Sequence, residues 1–305
     1  MTARRVTDLA ASVRQRLQNN AKATGRPFQE VLQYFAMERF LYRLSQSPHI
    51  ERFILKGALM FTAWHAPATR PTMDIDFLAR LDNSAETVLP VIREICSLEV
   101  EPDGLVFDLD TLRAVLIKED ADYEGLRVTF LVRLQNARVP MQLDLGFGDV
   151  LTPAPVLTDY PTILDFAPPR LYGYSRETTV AEKFEAMVKL GQLNSRMKDF
   201  FDIWMLLRQF PFDGPTLAAA IAKTFARRQT ALELPPHALS ESFASDSVKT
   251  AQWGAFLRKS RIAPCPGGLP EVITEIASFV LPAAASARDG RPFPAQWKPP
   301  GPWKE

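Results

Sequence analysis

The sequence predicts an α/β (α+β) lobe with a mixed sheet, followed by an all-helical C-terminal lobe. Three observations predict it. Runs that alternate apolar and polar residues, at 73–79, 126–134 and 139–147, are confined to the first half of the 305-residue chain. A stretch rich in proline follows at 151–173, with Pro153, Pro155, Pro161, Pro168 and Pro169. From Glu177 onward apolar residues recur at helical spacing. The expected domains are therefore 1–165 with N-terminal helices, 166–285 all helical, and a Pro-rich tail at 286–305.

Taken in order, residues 4–18 and 27–46 read as helices. In the second, Phe28, Val31, Leu32 and Phe35 form one apolar set and Met37, Phe40, Leu41 and Leu44 another, half a turn away, which predicts burial on two sides. Gly25-Arg26-Pro27 punctuates the pair, with Pro27 suited to a first helical turn. Phe53-Ile54-Leu55 is a short apolar run, and Ala58–His65 reads as a helix after a tight turn. A strand at Met73–Ala79, a helix over 84–97 and a hairpin of Leu126–Leu134 with Val139–Phe147 complete the first lobe. Residues 151–173 read as a connector packed against the body. Helices follow at 178–190, 196–209, 214–228, 240–259 and 270–281. The segment 282–305 carries six prolines and reads as an extended arm or a disordered tail.

Composition excludes several classes. A chain that is 47% hydrophobic and 23% charged buries a core and is not disordered. Two cysteines, Cys96 and Cys265, do not make a disulfide framework, and His49, His65 and His237 are too scattered for a histidine-built metal centre. No apolar run reads as a membrane span, and MTARRVTDLA has no signal-peptide core, so a reducing cytoplasm and no membrane partner are expected. The net charge of +1 conceals segregation: +5 over residues 1–50, −9 over 51–165 and +5 over 166–305. Either this is ordinary surface variation, or an acidic site for a metal or cationic ligand lies between flanks that favour polyanions.

The acidic middle contains the pattern that carries chemistry. Asp74 and Asp76 share one face of the MDIDF strand while Ile75 and Phe77 take the other, and Asp144 repeats the arrangement in QLDLGF. One reading is a solvated edge strand. The other is a divalent cation offsetting like charges in an apolar strand, since oxygen-only ligation by carboxylates suits Mg²⁺ bound to substrate phosphates. Before them, Leu55-Lys56-Gly57-Ala58-Leu59 is a strand-to-helix turn of the kind that aims backbone N–H groups at a phosphate. Together these supply, in order, donors for the outer phosphates of a triphosphate and carboxylates for bridging ions. In the helical half, Val180, Phe184, Met187 and Leu190 form an apolar stripe with Glu182, Glu185 and Lys189 opposite, and Lys183 falls inside the apolar arc. It either snorkels to solvent or meets a specific anion. Asn194 or Ser195 caps the next helix, where Asp199 and Asp202 share a face beside Lys198. Dipole stabilisation and a surface ion pair account for Asp199 but not for Asp202 beside Phe200, Phe201 and Trp204. Cys96 reads as a small core residue, His65 has no triad partner, and Arg258-Lys259-Ser260-Arg261 reads as a solvated helix end or an RNA-phosphate contact.

LKGALMFTAW followed by RPTMDIDFLAR resembles the motif of the polymerase-β-like nucleotidyltransferases and, more closely, that of the AbiEii/AbiGii toxin family, whose usual form is KGG, a helix, then R-x-T/S-x-D-I-D. The resemblance continues through DYEGLRVTF, VPMQLDLGFGDV, TTVAEKFEAMV and NSRMKDFFDIW, covering roughly residues 50–210. Ala58 departs from it, replacing the second Gly or Ser and removing a hydroxyl, and the gap from Gly57 to Asp74 exceeds that of minimal superfamily members. The resemblance implies a nucleotidyltransferase domain over 1–165, and a Mg²⁺- (or Mn²⁺-) dependent toxin of a toxin–antitoxin system that transfers NMP from an NTP. Asp74, Asp76 and Asp144 would hold the metal, with Asp144 acting as or orienting the base. Gly57 and Ala58 would cradle phosphate, and Lys56, Arg70 and Lys183 would neutralise the leaving charge. Lys198, Asp199 and Asp202 would form the K-D-x-x-D motif of the nucleotide site, with Lys183 and Asp199 catalytic and a purely structural role the alternative for Asp202. Better-known relatives modify the 3′ end of tRNA, so an RNA acceptor and a cognate antitoxin are the expected partners. Nucleotidyl or phosphoryl transfer to a small molecule or to a protein such as the antitoxin, and a silent RNA- or antitoxin-binding module, are the alternatives.

Overall fold

Asp8 sets the first helix. Its carboxylate accepts the Ala11 amide at 2.9 Å, and α1 (Leu9–Thr24) runs to Gly25, whose φ of +68° ends it. The structure, a computed structural model, describes residues 8–66, 70–120, 123–260 and 267–305. The expected start of this helix at residue 4, Arg261 of the basic cluster and Cys265 lie outside the described residues. The chain forms two compact units.

The first unit comprises Met1–His65, Thr72–Gly148 and Val156–Gly173. After α1 come α2 (Phe28–Gln46), β1 (Phe53–Lys56), α3 (Leu59–Ala63), β2 (Ile75–Ala79), α4 (Ala85–Ser97), β3 (Leu105–Asp120), β4 (Tyr123–Leu134), β5 (Ala137–Phe147), β6 (Val156–Asp159) and β7 (Arg170–Gly173). The strands form one seven-stranded mixed sheet in the order β3-β4-β5-β2-β1-β7-β6, in which β2/β5 and β1/β7 are parallel. α2 is buried on two sides, as its two apolar sets require, and packs on β5, β7 and α4.

Sequence periodicity misses β3. A register shift between Asp108 and Arg113 breaks its two-residue alternation, and Val106, Val115 and Leu116 stay exposed. The Pro-rich connector contains β6 and β7, which pair antiparallel from Val156↔Gly173 to Asp159↔Arg170. Boundaries also shift: the helix expected to end at 18 runs to Thr24, the one expected over Ala58–His65 spans five residues, the strand expected from Met73 starts at Ile75, and the hairpin strands start at Tyr123 and Ala137.

The second unit comprises Ala66–Pro71, Asp149–Pro155 and Tyr174–Glu305. It is built from α5 (Arg176–Leu190), α6 (Met197–Gln209), β8 (Phe212–Asp213), α7 (Gly214–Arg228), α8 (Glu241–Ser245), α9 (Ser247–Ser260), α10 (Leu269–Asp289), β9 (Gln296–Trp297) and β10 (Trp303–Lys304). The helix expected over 240–259 divides because Asp246 accepts the Val248 and Lys249 amides at 2.8 and 3.0 Å and starts a new helix. α10 outruns its expected end at 281 and stops at Gly290 with φ +65°. By length and composition it could cross a bilayer, contrary to the expectation of no such run, yet Val272, Ile276, Phe279 and Ala283 are buried in the packing on α6 and α7.

The tail is neither a free arm nor disordered. Trp297 is 2% exposed and donates to the Leu207 carbonyl at 2.6 Å, while Trp303 stacks on Phe279 and donates to its carbonyl at 2.9 Å. β9 pairs with both β8 and β10. Two tryptophans with satisfied indole N–H groups outweigh the extended bias of six prolines.

Candidate active site

β1, β2, β5 and β4 are neighbours, and their register sets four charges in one row. Lys56 is opposite Asp76, Asp76 is opposite Asp144, and Asp144 is opposite Arg127. Register partners share a face of the sheet, so the row reads cation, carboxylate, carboxylate, cation. Asp74 lies in the bend before β2 rather than in the strand, but it still joins the group. One oxygen of each of Asp74, Asp76 and Asp144 lies within 4.8 Å of the others.

The surroundings hold these carboxylates in place. Thr72 Oγ1 donates to Asp74, and the Thr72 amide donates to the Tyr34 hydroxyl at 3.0 Å, tying the bend to α2. On the same helix, the buried Gln33 amide donates to the Pro140 carbonyl at 3.0 Å, at the lead-in to Asp144. Gly57 has a φ of +71°, and a methyl there would lie 2.0 Å from Asp76 Oδ2. Only glycine allows the turn to close on that carboxylate. A methyl at Gly146 would lie 2.8 Å from Lys56 Nζ, so a second glycine makes room for the ammonium. Ala58 is buried, and with α3 only five residues long, any phosphate there would meet individual amides rather than a developed helix dipole.

Arg127 is the residue that sequence reasoning missed. Its Nε and Nη2 donate to the two oxygens of Asp144, both at 2.8 Å, and Gln142 Nε2 lies 3.2 Å from each. The Asp144 hydrogen bond and charge, with the charges of Asp74 and Asp76, raise Arg127 above its ordinary pKa against the lowering effect of desolvation. Its strand alternation marked a polar face, but nothing in the local pattern said which carboxylate that face would meet.

The second unit holds its own charged cluster. Lys183 Nζ lies 2.7 Å from Asp199 and 2.8 Å from Asp202, and Arg70 grips Asp202 through Nε and Nη2 at 3.0 and 3.2 Å. Lys183 thus reaches two carboxylates of α6 instead of snorkelling to water. Burial pulls its pKa down, but the charges of Asp199 and Asp202 outweigh this and hold it above the usual lysine value. For Asp202, burial pushes up, while Arg70 and Lys183 prevail and hold it below the usual carboxylate value. Asp202 is fully buried, which excludes a surface ion pair; Lys198 is exposed and outside this cluster. Arg70, expected to neutralise leaving charge, is here a partner of Asp202.

Glu182 and Glu185, expected opposite the apolar stripe, instead face Arg228. Its guanidinium lies 2.9 Å from Glu185, 3.1 Å from Asp149 and 3.4 Å from Glu182, so α5 is buried on more than its apolar side. Part of the N-terminal basic surplus is also paired. Arg39 and Arg43 are buried on Asp103, Arg26 pairs with Glu30, and Arg16 pairs with Asp165. Cys96 is a buried core thiol whose pKa burial pushes up to about 12.

A family model described as the nucleotidyl transferase AbiEii toxin of type IV toxin–antitoxin systems matches residues 39–266. Two solved structures from Helicobacter pylori are similar to the chain at 12% identity. JHP933 has a TM-score of 0.45, covering 83% of this chain and 89% of that one. A candidate nucleotidyltransferase has a TM-score of 0.44, covering 83% of this chain and 92% of that one. No curated protein matches the chain.

Proposed function

Since this chain belongs to the AbiEii family of nucleotidyl transferase toxins of type IV toxin–antitoxin systems, we propose that it transfers NMP from an NTP to an RNA 3′ hydroxyl, using Mg²⁺ or Mn²⁺ held by Asp74, Asp76 and Asp144. The single observation that carries the metal reading is the meeting of those carboxylates within 4.8 Å. The donor set fits a hard divalent ion: it is all oxygen, it is anionic, and strands β2 and β5 with the bend before β2 present it together. When bound, such an ion stabilises charge developing on the α-phosphate and the departing pyrophosphate.

The chain's own residues supply the rest. The Gly57 turn closes against Asp76 with no room for a side chain, and Thr72 donates to Asp74. Asp144 takes the proton of the attacking hydroxyl or orients the group that does. Lys56, at the end of the charged row, would offset negative charge on the triphosphate. Lys183 and Asp199 are assigned to the nucleotide by the resemblance of the AEK and K-D-x-x-D blocks, and so is the RNA acceptor. The paired arginines of the N-terminal segment add little support for a polyanion. The family implies a nucleotide substrate and an antitoxin partner. The low cysteine count, two in the chain, supports a cytoplasmic setting.

The test incubates the purified protein with each labelled NTP, total RNA and Mg²⁺. Label entering RNA is the expected result. Label entering the antitoxin or another protein would replace the acceptor class, and no transfer to any acceptor would overturn the reading. Asp76→Ala should lower transfer by roughly 10²–10³-fold, equivalent to several kcal/mol of lost charge stabilisation, and relieve growth arrest on expression. A fully active, fully toxic Asp76→Ala protein would exclude the metal assignment.

A further inference from the structure

The metal reading leaves one contact unexplained: both oxygens of Asp144 are already taken. Arg127 occupies them in a two-pronged pair at 2.8 and 2.8 Å, and Gln142 reinforces it at 3.2 Å from each. A carboxylate engaged in this way has little lone-pair capacity left for an ion that needs short, well-directed oxygen contacts. Asp144 is 10% exposed at its side chain, whereas Arg127 is 38% exposed and sits at the outer end of the charged row. Arg127 is therefore the more solvent-accessible partner of the pair.

We propose that Arg127 is an exchangeable latch: it holds Asp144 in the nucleotide-free enzyme, and an arriving triphosphate draws its guanidinium onto a phosphate oxygen, freeing Asp144 for the divalent ion. The inference rests on the metal reading of the triad. Its physical basis is a competition between like-sized terms. A planar fork suits a phosphate oxygen pair as well as it suits a carboxylate, and the triphosphate offers more negative charge than one aspartate. The row needs a cation beside Asp144 in both states, because the adjacent carboxylates Asp76 and Asp144 on one face of the sheet repel. Arg127 provides that charge before the ion does, and the exchange keeps the sheet face compensated throughout. Lysine would keep the charge at this position but lose the fork.

Isothermal titration separates this from simpler roles. Mn²⁺ is titrated, without nucleotide, into the full chain and into Arg127→Gln, Arg127→Lys and Asp76→Asn. A non-hydrolysable NTP analogue is then titrated into the same proteins in EDTA. The latch gives changes of opposite sign. Arg127→Gln and Arg127→Lys bind Mn²⁺ more tightly than the parent, by about tenfold for Gln, and Arg127→Gln binds the analogue more weakly by a similar factor. If Arg127→Lys matches the parent for Mn²⁺ while Arg127→Gln binds tighter, net charge alone is at work and the latch is overturned. Unchanged or weaker Mn²⁺ binding in both variants overturns it too, as does unchanged analogue binding. Asp76→Asn isolates the underlying reading: if it binds Mn²⁺ like the parent, the triad is not the metal site and that reading fails, whatever Arg127 does. Far-ultraviolet circular dichroism and melting of each variant confirm that folded proteins are being compared.

Discussion

At Gly57, a φ of +71° and an Asp76 oxygen 2.0 Å from any added methyl coincide. Gly57→Ala therefore meets two penalties. The left-handed backbone costs about 1–2 kcal/mol for a non-glycine residue, and the methyl displaces Asp76 from the triad. The expected outcome is a melting temperature lowered by a few degrees and nucleotidyl transfer reduced far more than that loss of stability explains. Transfer at the parental rate would show that Asp76 does not need the position it has here. The pair Asp74 and Asp76 was legible in the sequence from its two-residue spacing, although only Asp76 lies in the strand and Asp74 joins it from the preceding bend. Arg127 was not legible, although it sits in an equally regular strand. Alternation tells which face a side chain takes, and only register tells which neighbour it meets.

The elements that hold the site do so through buried polar contacts, and these respond to pH. On α2, Glu38 accepts the Ile163 amide at 2.7 Å. Burial raises its pKa to about 7, against the lowering effects of that hydrogen bond and of Arg39, with Asp103 adding to the rise. A folded-state value above the unfolded one favours the folded protein at acid pH. That advantage is complete below the unfolded value of 4.5 and is lost as pH climbs towards 7. Glu38→Gln removes the titration. The parent should lose about 3 kcal/mol between pH 4.5 and 8 that the variant keeps, measured by urea denaturation across that range. Parallel stability curves for the two proteins would exclude this role for Glu38.

The ion cluster on α5 and α6 behaves in the opposite sense. Asp202 is held below the ordinary carboxylate value, so its contribution is present above about pH 4 and lost as pH falls through its lowered folded value. Asp202→Ala leaves Lys183 and Arg70 facing each other with one anion fewer, and should cost about 3–5 kcal/mol in the same denaturation experiment. A loss under about 1 kcal/mol would mean that water screens the cluster. The i, i+3 spacing of Asp199 and Asp202 made their common helix face legible. Arg70 on the same carboxylate was beyond the sequence, because 132 residues separate the two.

Across the whole molecule, the tail departs furthest from its sequence reading. Trp297 is almost fully buried among Phe212, Phe279 and Trp303, and its indole N–H is satisfied by Leu207. Trp297→Ala should destabilise the second unit by about 3–5 kcal/mol, seen as a lowered melting transition. A change of a few tenths would return the tail to the status of a free arm. The charge pattern of +5, −9 and +5 also changes meaning at this scale. Among the described residues, Arg16, Arg26, Arg39 and Arg43 of the basic N-terminal segment pair with acids of the same unit, so part of the segregation reflects internal pairing. The sequence by itself determined the order of the principal helices, the alternating strands, the three carboxylates and the family. These follow from periods of two and 3.6 residues and from motif spacing, which are local properties. The tertiary structure alone decided that β5 lies beside β2, that Lys56 and Arg127 flank the acid pair, and that the proline-rich ends pair as strands. Those outcomes depend on register and packing between segments far apart in the chain, where no local period carries the information.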